Sequence, residues 1–250
     1  MNYKKIIMSR YAILSDIHGN LFALKEVIKE LNNQKIDQII LLGDLIDYGM
    51  QSNEVVEFIK NEFSSKIICN IWGNHEKAIL THDFNHFSSK RGIESAKFTD
   101  SVLSDKSRKY LNDNLIHEGK YEFEIDGKSV LAIHGSLTDC YWKAIFPDNM
   151  NGDYSNFDIV LSGHSHFPHV FQHFYEVDNP IMRNKKVVLF INPGSVGQPR
   201  NHNSNAQYAI LGTETMGVEL KSVKYPKEEA MNLYDGSVDD FYRKRLENGV

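Results

Sequence analysis

The stretch Gln38-Ile39-Ile40-Leu41-Leu42-Gly43-Asp44 decides how this chain is read. Its uninterrupted apolar segment fits a strand buried on both faces. Gly43 then allows a sharp turn, so Asp44 leaves the C-terminal edge of a parallel sheet, where open α/β folds place their ligands. A carboxylate at that position can stand between two metal ions. A Gly-Asp pair after a strand is also an ordinary turn, so the reading depends on how the other strands end.

Upstream, Tyr11-Ala12-Ile13-Leu14 runs into Ser15-Asp16-Ile17-His18-Gly19-Asn20, after which Leu21, Leu24, Val27, Ile28 and Leu31 recur at helical spacing. Asp16 and His18, two apart on an extended loop, can reach one point from the same side of the backbone. Downstream, the pattern predicts a helix over 53–63 with Asn53 as its cap and Val55, Val56, Phe58 and Ile59 as its apolar stripe. A third strand, Lys66-Ile67-Ile68-Cys69-Asn70-Ile71-Trp72, ends in Gly73-Asn74-His75-Glu76. Repeated strand, loop and helix argue for parallel βαβ units.

Residues 77–118 are polar and read as helical in pieces, with Phe84, Phe87, Phe98, Tyr110 and Leu111 available to pack on the sheet. His82 and His86 stand four apart there, but with no third partner nearby they read as solvated surface. Beyond Gly119, the alternation of Tyr121, Phe123 and Ile125, the Asp126-Gly127 turn and a second run to Ile133 predict a hairpin. That run ends in His134-Gly135-Ser136, and Asp158-Ile159-Val160-Leu161 ends in Gly163-His164-Ser165-His166. Further strands are expected over 169–175, 187–191, 207–211 and 217–223, and two short charged helices over 227–246. His169 and His173 share one strand face and read as structural.

The 250 residues show no linker-like or repeated stretch, which favours one domain over 1–250 with a helical segment, 77–118, beside the site. A net charge of -5 provides no bulk attraction to nucleic acid or to an anionic membrane, so no nucleic-acid groove is expected and a phosphate-bearing partner must be held locally. Cys69 and Cys140 lack paired spacing, which suits a reducing cytoplasm without a disulfide. In residues 1–10 the only apolar run is Ile6-Ile7-Met8, too short for a signal peptide, and no later segment is long and apolar enough to span a bilayer. A cytoplasmic protein is the expectation.

The groups that follow the strands are Asp16, His18, Asp44, Asn74, His75, His134, His164 and His166, all along one rim. Carboxylate, imidazole and amide oxygen without cysteine suit borderline or hard divalent ions. So many ligands exceed one tetrahedral site and fit two ions sharing a carboxylate, with a bridging water that is partly deprotonated near neutral pH and attacks a phosphoryl group in line.

Asp16-Ile17-His18, Gly43-Asp44, Gly73-Asn74-His75-Glu76, His134-Gly135 and Gly163-His164-Ser165-His166 resemble the five ordered motifs of the calcineurin-like metallophosphoesterases. The resemblance implies an α/β four-layer sandwich, two β-sheets between helices. It also implies two divalent ions, Mn foremost with Fe, Zn or Ni as alternatives. Asp16, His18 and His166 would hold one ion, Asn74, His134 and His164 the other, and Asp44 would bridge them. His75 would face the leaving group as general acid, and Asp47 resembles the aspartate that pairs with it in the Ser/Thr phosphatase branch. That branch follows the aspartate with an arginine where this chain has Tyr48. Gly43-Asp44-Leu45-Ile46-Asp47-Tyr48-Gly49 and Asn192-Pro193-Gly194-Ser195-Val196-Gly197-Gln198-Pro199-Arg200 are more similar to the small bacterial phosphoesterases grouped with diadenosine tetraphosphatases. Asn74 and Arg200 are the candidate substrate contacts, Arg200 because a planar guanidinium suits a phosphate oxygen.

The leading expectation is therefore a dinuclear phosphoesterase acting on a small phosphodiester or phosphomonoester. Two alternatives within enzymes are a protein-phosphatase-like activity and a dinucleoside polyphosphate hydrolase. A catalytically idle scaffold would be marked by lost ligands, yet every expected position is filled. A nuclease would want a basic groove or an appended domain.

Overall fold

The computed structural model describes residues 9–250. The expectation about the start of the chain falls largely outside that range.

The apolar run before Gly43 forms β2 (Gln38–Leu41). It lies between β1 (Arg10–Leu14) and β3 (Ile67–Asn70), parallel to both, with Leu14 beside Leu41 and Leu41 beside Asn70. β9 (Ala206–Gly212) and β10 (Gly217–Val223) extend this sheet antiparallel on the β1 side, giving the order β10-β9-β1-β2-β3. The second sheet has the order β4-β5-β6-β8-β7. Its parallel centre is β5 (Lys128–Ile133), β6 (Ile159–Ser162) and β8 (Lys185–Asn192), flanked by antiparallel β4 (Lys120–Ile125) and β7 (His169–Glu176). The expected hairpin joins β4 to β5, and Asp126 and Gly127 both take positive φ, as a tight hairpin turn requires.

Strand alternation sorts the core into layers. Ile13, Ile40, Leu42 and Cys69 face Val130, Ala132, Ile159 and Leu161 between the sheets. The opposite face of the first sheet, with Ala12, Leu14, Ile39 and Leu41, is covered by helices. Foremost is α1 (Leu21–Asn32), which buries Leu24, Val27, Ile28 and Leu31. Asn20 Oδ1 caps it by accepting from the Ala23 N–H at 3.1 Å. On the outer face of the second sheet, Leu131, Ile133, Val160 and Phe190 pack against Ile145, Tyr154 and Phe157. There the long connection between β5 and β6, rather than a helix, forms the covering layer.

The second helix starts earlier than expected and splits. α2 (Ser52–Phe58) runs into a π turn, Ile59–Phe63, and a short 3-10 turn, Ser64–Lys66. Asn53 is not its cap. It lies in the first turn and bonds outward, donating to the Val102 carbonyl and accepting from the Ser104 N–H, both at 2.9 Å. The polar stretch after β3 folds as α3 (Asn74–Thr81), α4 (Lys90–Val102) and α5 (Asp105–Asn114). The tail forms α6 (Lys227–Met231) and α7 (Asp240–Asn248). Among the described residues no helix is long and apolar enough to cross a membrane, and both cysteines are free.

Candidate active site

The residues that follow the C-terminal ends of β1, β2, β3, β5 and β6 meet at one rim. Pairing continues past the strands: the N–H groups of Asp16, His18 and Gly19 bond the carbonyls of Gly43, Asp44 and Leu45 at 3.1, 2.9 and 3.0 Å. The second sheet joins across the gap, with His134 Nδ1 at 2.7 Å from the Leu42 carbonyl. The loop after β8 closes the other side, where the Ser195 hydroxyl donates to the Asp16 carbonyl at 2.7 Å.

These loops are tightly bent. Asp16, His18, Asp44, Asp47, Tyr48, His164 and His166 all adopt the left-handed region, with φ from +48° to +74°. Each such residue costs roughly 1–3 kcal/mol, and strain of this kind gathers where side-chain placement matters. Gly43 has φ +88°, and a Cβ there would lie 2.3 Å from the Gly73 nitrogen. A Cβ on Gly73 would lie 2.1 Å from Oδ1 of Asp44. Both positions exclude side chains so that the Asp44 and Asn74 loops can touch.

Two groups of ligand-type atoms result, and Asp44 belongs to both. In the first, His18 Nε2 lies 3.6 Å from Asp44 Oδ2, and His166 Nε2 lies 3.2 Å from Asp16 Oδ1. In the second, His134 Nε2 lies 3.4 Å from Asp44 Oδ2 and 2.9 Å from Asn74 Oδ1. His164 Nδ1 lies 3.0 Å from the same Asn74 oxygen. All of these side chains are buried or nearly so.

The donor set fits cations. His18, His134 and His166 each hold Nδ1 near a backbone carbonyl, those of Ile46, Leu42 and Gln198, at 3.3, 2.7 and 2.6 Å. A ring nitrogen so placed is assigned as the donor, which leaves Nε2 as a lone pair aimed into the site. The Nε2 atoms of His18 and His166 are then two lone pairs only 3.1 Å apart, an arrangement that a shared cation relieves. Asp16 Oδ1 is buried with no hydrogen-bond partner among the described residues.

The electrostatics agree. Burial, reinforced by neighbouring histidines, takes His164 down to about 3, and burial with the charge of Arg200 takes His166 to about 4. Burial likewise holds His18 well below its ordinary value. Neutral imidazole is the form that ligates. His134 goes the other way: burial opposes its protonation, but Asp44 raises it to about 9. Burial also opposes ionisation of Asp44, yet the charges of His134 and His75 hold it well below the carboxylate range. Positive charge is thus most favoured beside Asp44.

His75 borders this pair. Its Nδ1 donates to Asp47 Oδ2 at 2.6 Å, which directs Nε2 to a point 3.9 Å from Asp44 Oδ2. Burial lowers its basicity, but Asp44 and then the Asp47 hydrogen bond outweigh that and raise its pKa. Asp47 Oδ1 is held in turn by the hydroxyls of Ser95 and Thr99, one turn apart on α4, at 2.6 and 2.9 Å. Tyr48, where the protein-phosphatase pattern has arginine, packs edge-on to His75 and stacks on Tyr242 of α7.

Several residues gave no sequence signal for the roles they take. The Glu76 carboxylate accepts from four backbone N–H groups, those of Asp44, Leu45, Ile46 and Gly73, at 2.7 to 3.2 Å. Burial and the nearby Asp44 charge push its pKa to about 7, against the pull of those N–H donors. It fixes the Asp44 loop without facing the cleft. Ser95 and Thr99 read as ordinary polar helix positions. His82 is exposed beside Asp100 at 3.0 Å, as a surface residue. His86 is exposed as well but is not remote: with Phe87 and Trp142 it lines the cleft of about 280 Å³ above Asp44, His75 and His164. Arg200 lines the same cleft, and its Nε is buried without a partner among the described residues. His169 and His173 sit on β7, away from it.

Comparison with known proteins agrees with this geometry. Residues 10–216 match the profile of the Calcineurin-like phosphoesterase superfamily domain. An uncharacterized protein of Methanocaldococcus jannaschii, MJ0912, is 31% identical over 232 residues, covering 90% of this chain and 91% of its own length. The phosphodiesterase YfcE of Escherichia coli K12 is 23% identical over 219 residues, or 84% of this chain and 91% of that protein. The crystal structure of a metallophosphoesterase from Sphaerobacter thermophilus superposes with a TM-score of 0.73 at 24% identity. That match covers 98% of this chain and 100% of the other and speaks to the fold.

Proposed function

The chain belongs to the calcineurin-like phosphoesterase superfamily and is a metal-dependent phosphoric ester hydrolase, and from that premise we propose that it cleaves a small phosphodiester or phosphomonoester at a centre of two divalent ions. The observation that carries this reading is the single Asp44 carboxylate common to both ligand groups, with His75 beside it. Asp16, His18 and His166 would hold one ion and Asn74, His134 and His164 the other, with Asp44 between them. Two such ions, when bound, lower the pKa of water and neutralise charge on the phosphoryl oxygens.

The protein's own residues supply the rest. Asp47 keeps the Nδ1 proton of His75 and turns its Nε2–H towards the departing ester oxygen, while Ser95 and Thr99 keep Asp47 in place. A water adds to phosphorus as the P–O bond to the leaving group breaks. The leaving oxygen takes the Nε2 proton, and the proton lost by the water replaces it. Arg200, which lines the cleft, is the cation for a non-bridging phosphate oxygen. Tyr48 disfavours the protein-phosphatase alternative, because it stacks on Tyr242 where that branch presents a guanidinium.

The test is hydrolysis of a nitrophenyl phosphodiester beside the matching monoester, on metal-stripped protein with Mn restored. Turnover that requires Mn supports the reading, and diester preference would match the name given to the E. coli relative. Absence of turnover with metal bound would overturn it.

A further inference from the structure

The wall of the cleft nearest His75 is aromatic and unusually continuous. Phe87 packs edge-on to His75 with ring centroids 5.1 Å apart, and Trp142 meets Phe87 edge-on at 5.2 Å. His86 lies over Trp142 in parallel at 5.7 Å, while Trp142 stands 6.4 Å from the ring of His164. Phe87 and Trp142 are only half-buried and His86 is exposed, so these ring surfaces are offered to whatever enters. None is required by the metal chemistry. They belong to two connections, the turn between α3 and α4 and the long loop after β5, which converge here from different sheets.

We propose that this surface is a stacking platform for a nucleobase and that the substrate is a nucleoside phosphate ester. The inference rests on the phosphoesterase reading above and names its substrate class. Three features favour a base over another apolar group. Aromatic faces at successive edge-on and parallel angles give a flat heterocycle stacking surfaces that an alkyl chain does not need. The platform adjoins His75, so the part of the ester lying beside the proton donor is the one that stacks. Arg200 lines the same cleft and provides the guanidinium for the phosphate, so the cleft offers both charge and aromatic surface. A volume of about 280 Å³ lies near the lower end of the range usual for small-molecule sites, roughly 300–1,000 Å³, and suits one nucleoside rather than two enclosed together.

The test compares AMP with ribose 5-phosphate, which carries the same phosphate without the base, by calorimetric titration of the Mn-loaded protein spanning residues 1–250. AMP should bind about tenfold or more tightly, the scale of one base on an aromatic side chain. Trp142→Ala should bring AMP down to the level of ribose 5-phosphate, and Trp142→Phe should recover most of the difference. Equal binding of the two ligands by the unaltered protein, with nitrophenyl esters still hydrolysed, would overturn the platform and leave the phosphoesterase reading standing. An AMP preference that survives Trp142→Ala in folded protein would also overturn it. Failure to hydrolyse any nitrophenyl ester with Mn bound would remove the phosphoesterase reading itself.

Discussion

The rim and the wall of the cleft are built by different means. At the rim, Asp16, Asp44, Asn74, His134, His164 and His166 sit within a few residues of the ends of parallel strands, where the backbone continues to pair, and Asp16, Asp44, His164 and His166 are bent into left-handed conformations. At the wall, Phe87 and Trp142 come from connections, and behind it Ser95 and Thr99 of α4 reach Asp47 with their hydroxyls. The difference teaches that this fold fixes its chemistry through strand ends and leaves selectivity to segments that the sheets do not constrain.

If that division holds, changes at the rim should abolish chemistry and changes at the wall should only modulate it. The largest effect is expected for Asp44→Asn, which weakens both ion sites at once. Turnover should fall to background, and the rise in Tm that Mn confers on the unaltered protein should vanish. Retained activity in this variant would break the two-ion account. Next comes His75→Ala, expected to lower kcat on an alkyl phosphate ester by about 10² to 10⁴ while the Mn-dependent rise in Tm remains. Near-normal kcat on that poor leaving group would exclude His75 as the proton donor.

A third change probes the rim's support. Glu76→Ala strands four backbone N–H groups, and urea unfolding should register a loss of about 3 kcal/mol or more. A loss below 1 kcal/mol, on the order of one ordinary hydrogen bond, would show that the Asp44 loop holds itself. The smallest effect sharpens the boundary between the two regions. Ser95→Ala combined with Thr99→Val should slow alkyl ester hydrolysis by about tenfold, as expected when a hydrogen-bonded carboxylate loses partners worth about 1.5 kcal/mol. Nitrophenyl ester hydrolysis, whose leaving group needs little protonation, should change far less. An equal loss on both esters would mean that α4 supports the site as a whole rather than through Asp47.

The same division explains what the sequence disclosed. Each strand end is legible because an apolar run stops abruptly at Asp, Asn or His, and the Asp126-Gly127 turn marks the β4–β5 hairpin, whereas the division into two sheets follows only from the family resemblance. The paired role of Asp47 could be named only through the family resemblance, since nothing near it in the chain reveals His75 at 2.6 Å. Ser95 and Thr99 were invisible because their partner is 48 and 52 residues away, and a hydroxyl on a polar helix carries no period or motif. In the sequence His86 reads as solvent-facing, because no third ligand stands near it. It is exposed, but the fold brings Trp142 beneath it from a loop more than fifty residues later. Asn53 misled as a cap because its side chain satisfies the backbone of another helix junction instead of its own.

The central claim is that Asp44 joins two ions in one centre. Electron paramagnetic resonance of the protein loaded with Mn(II), alongside a count of bound metal, tests it most directly. Two ions per chain and the multiline signal of an exchange-coupled pair are expected. A single bound ion, or two ions giving only the signal of isolated Mn(II), would contradict it.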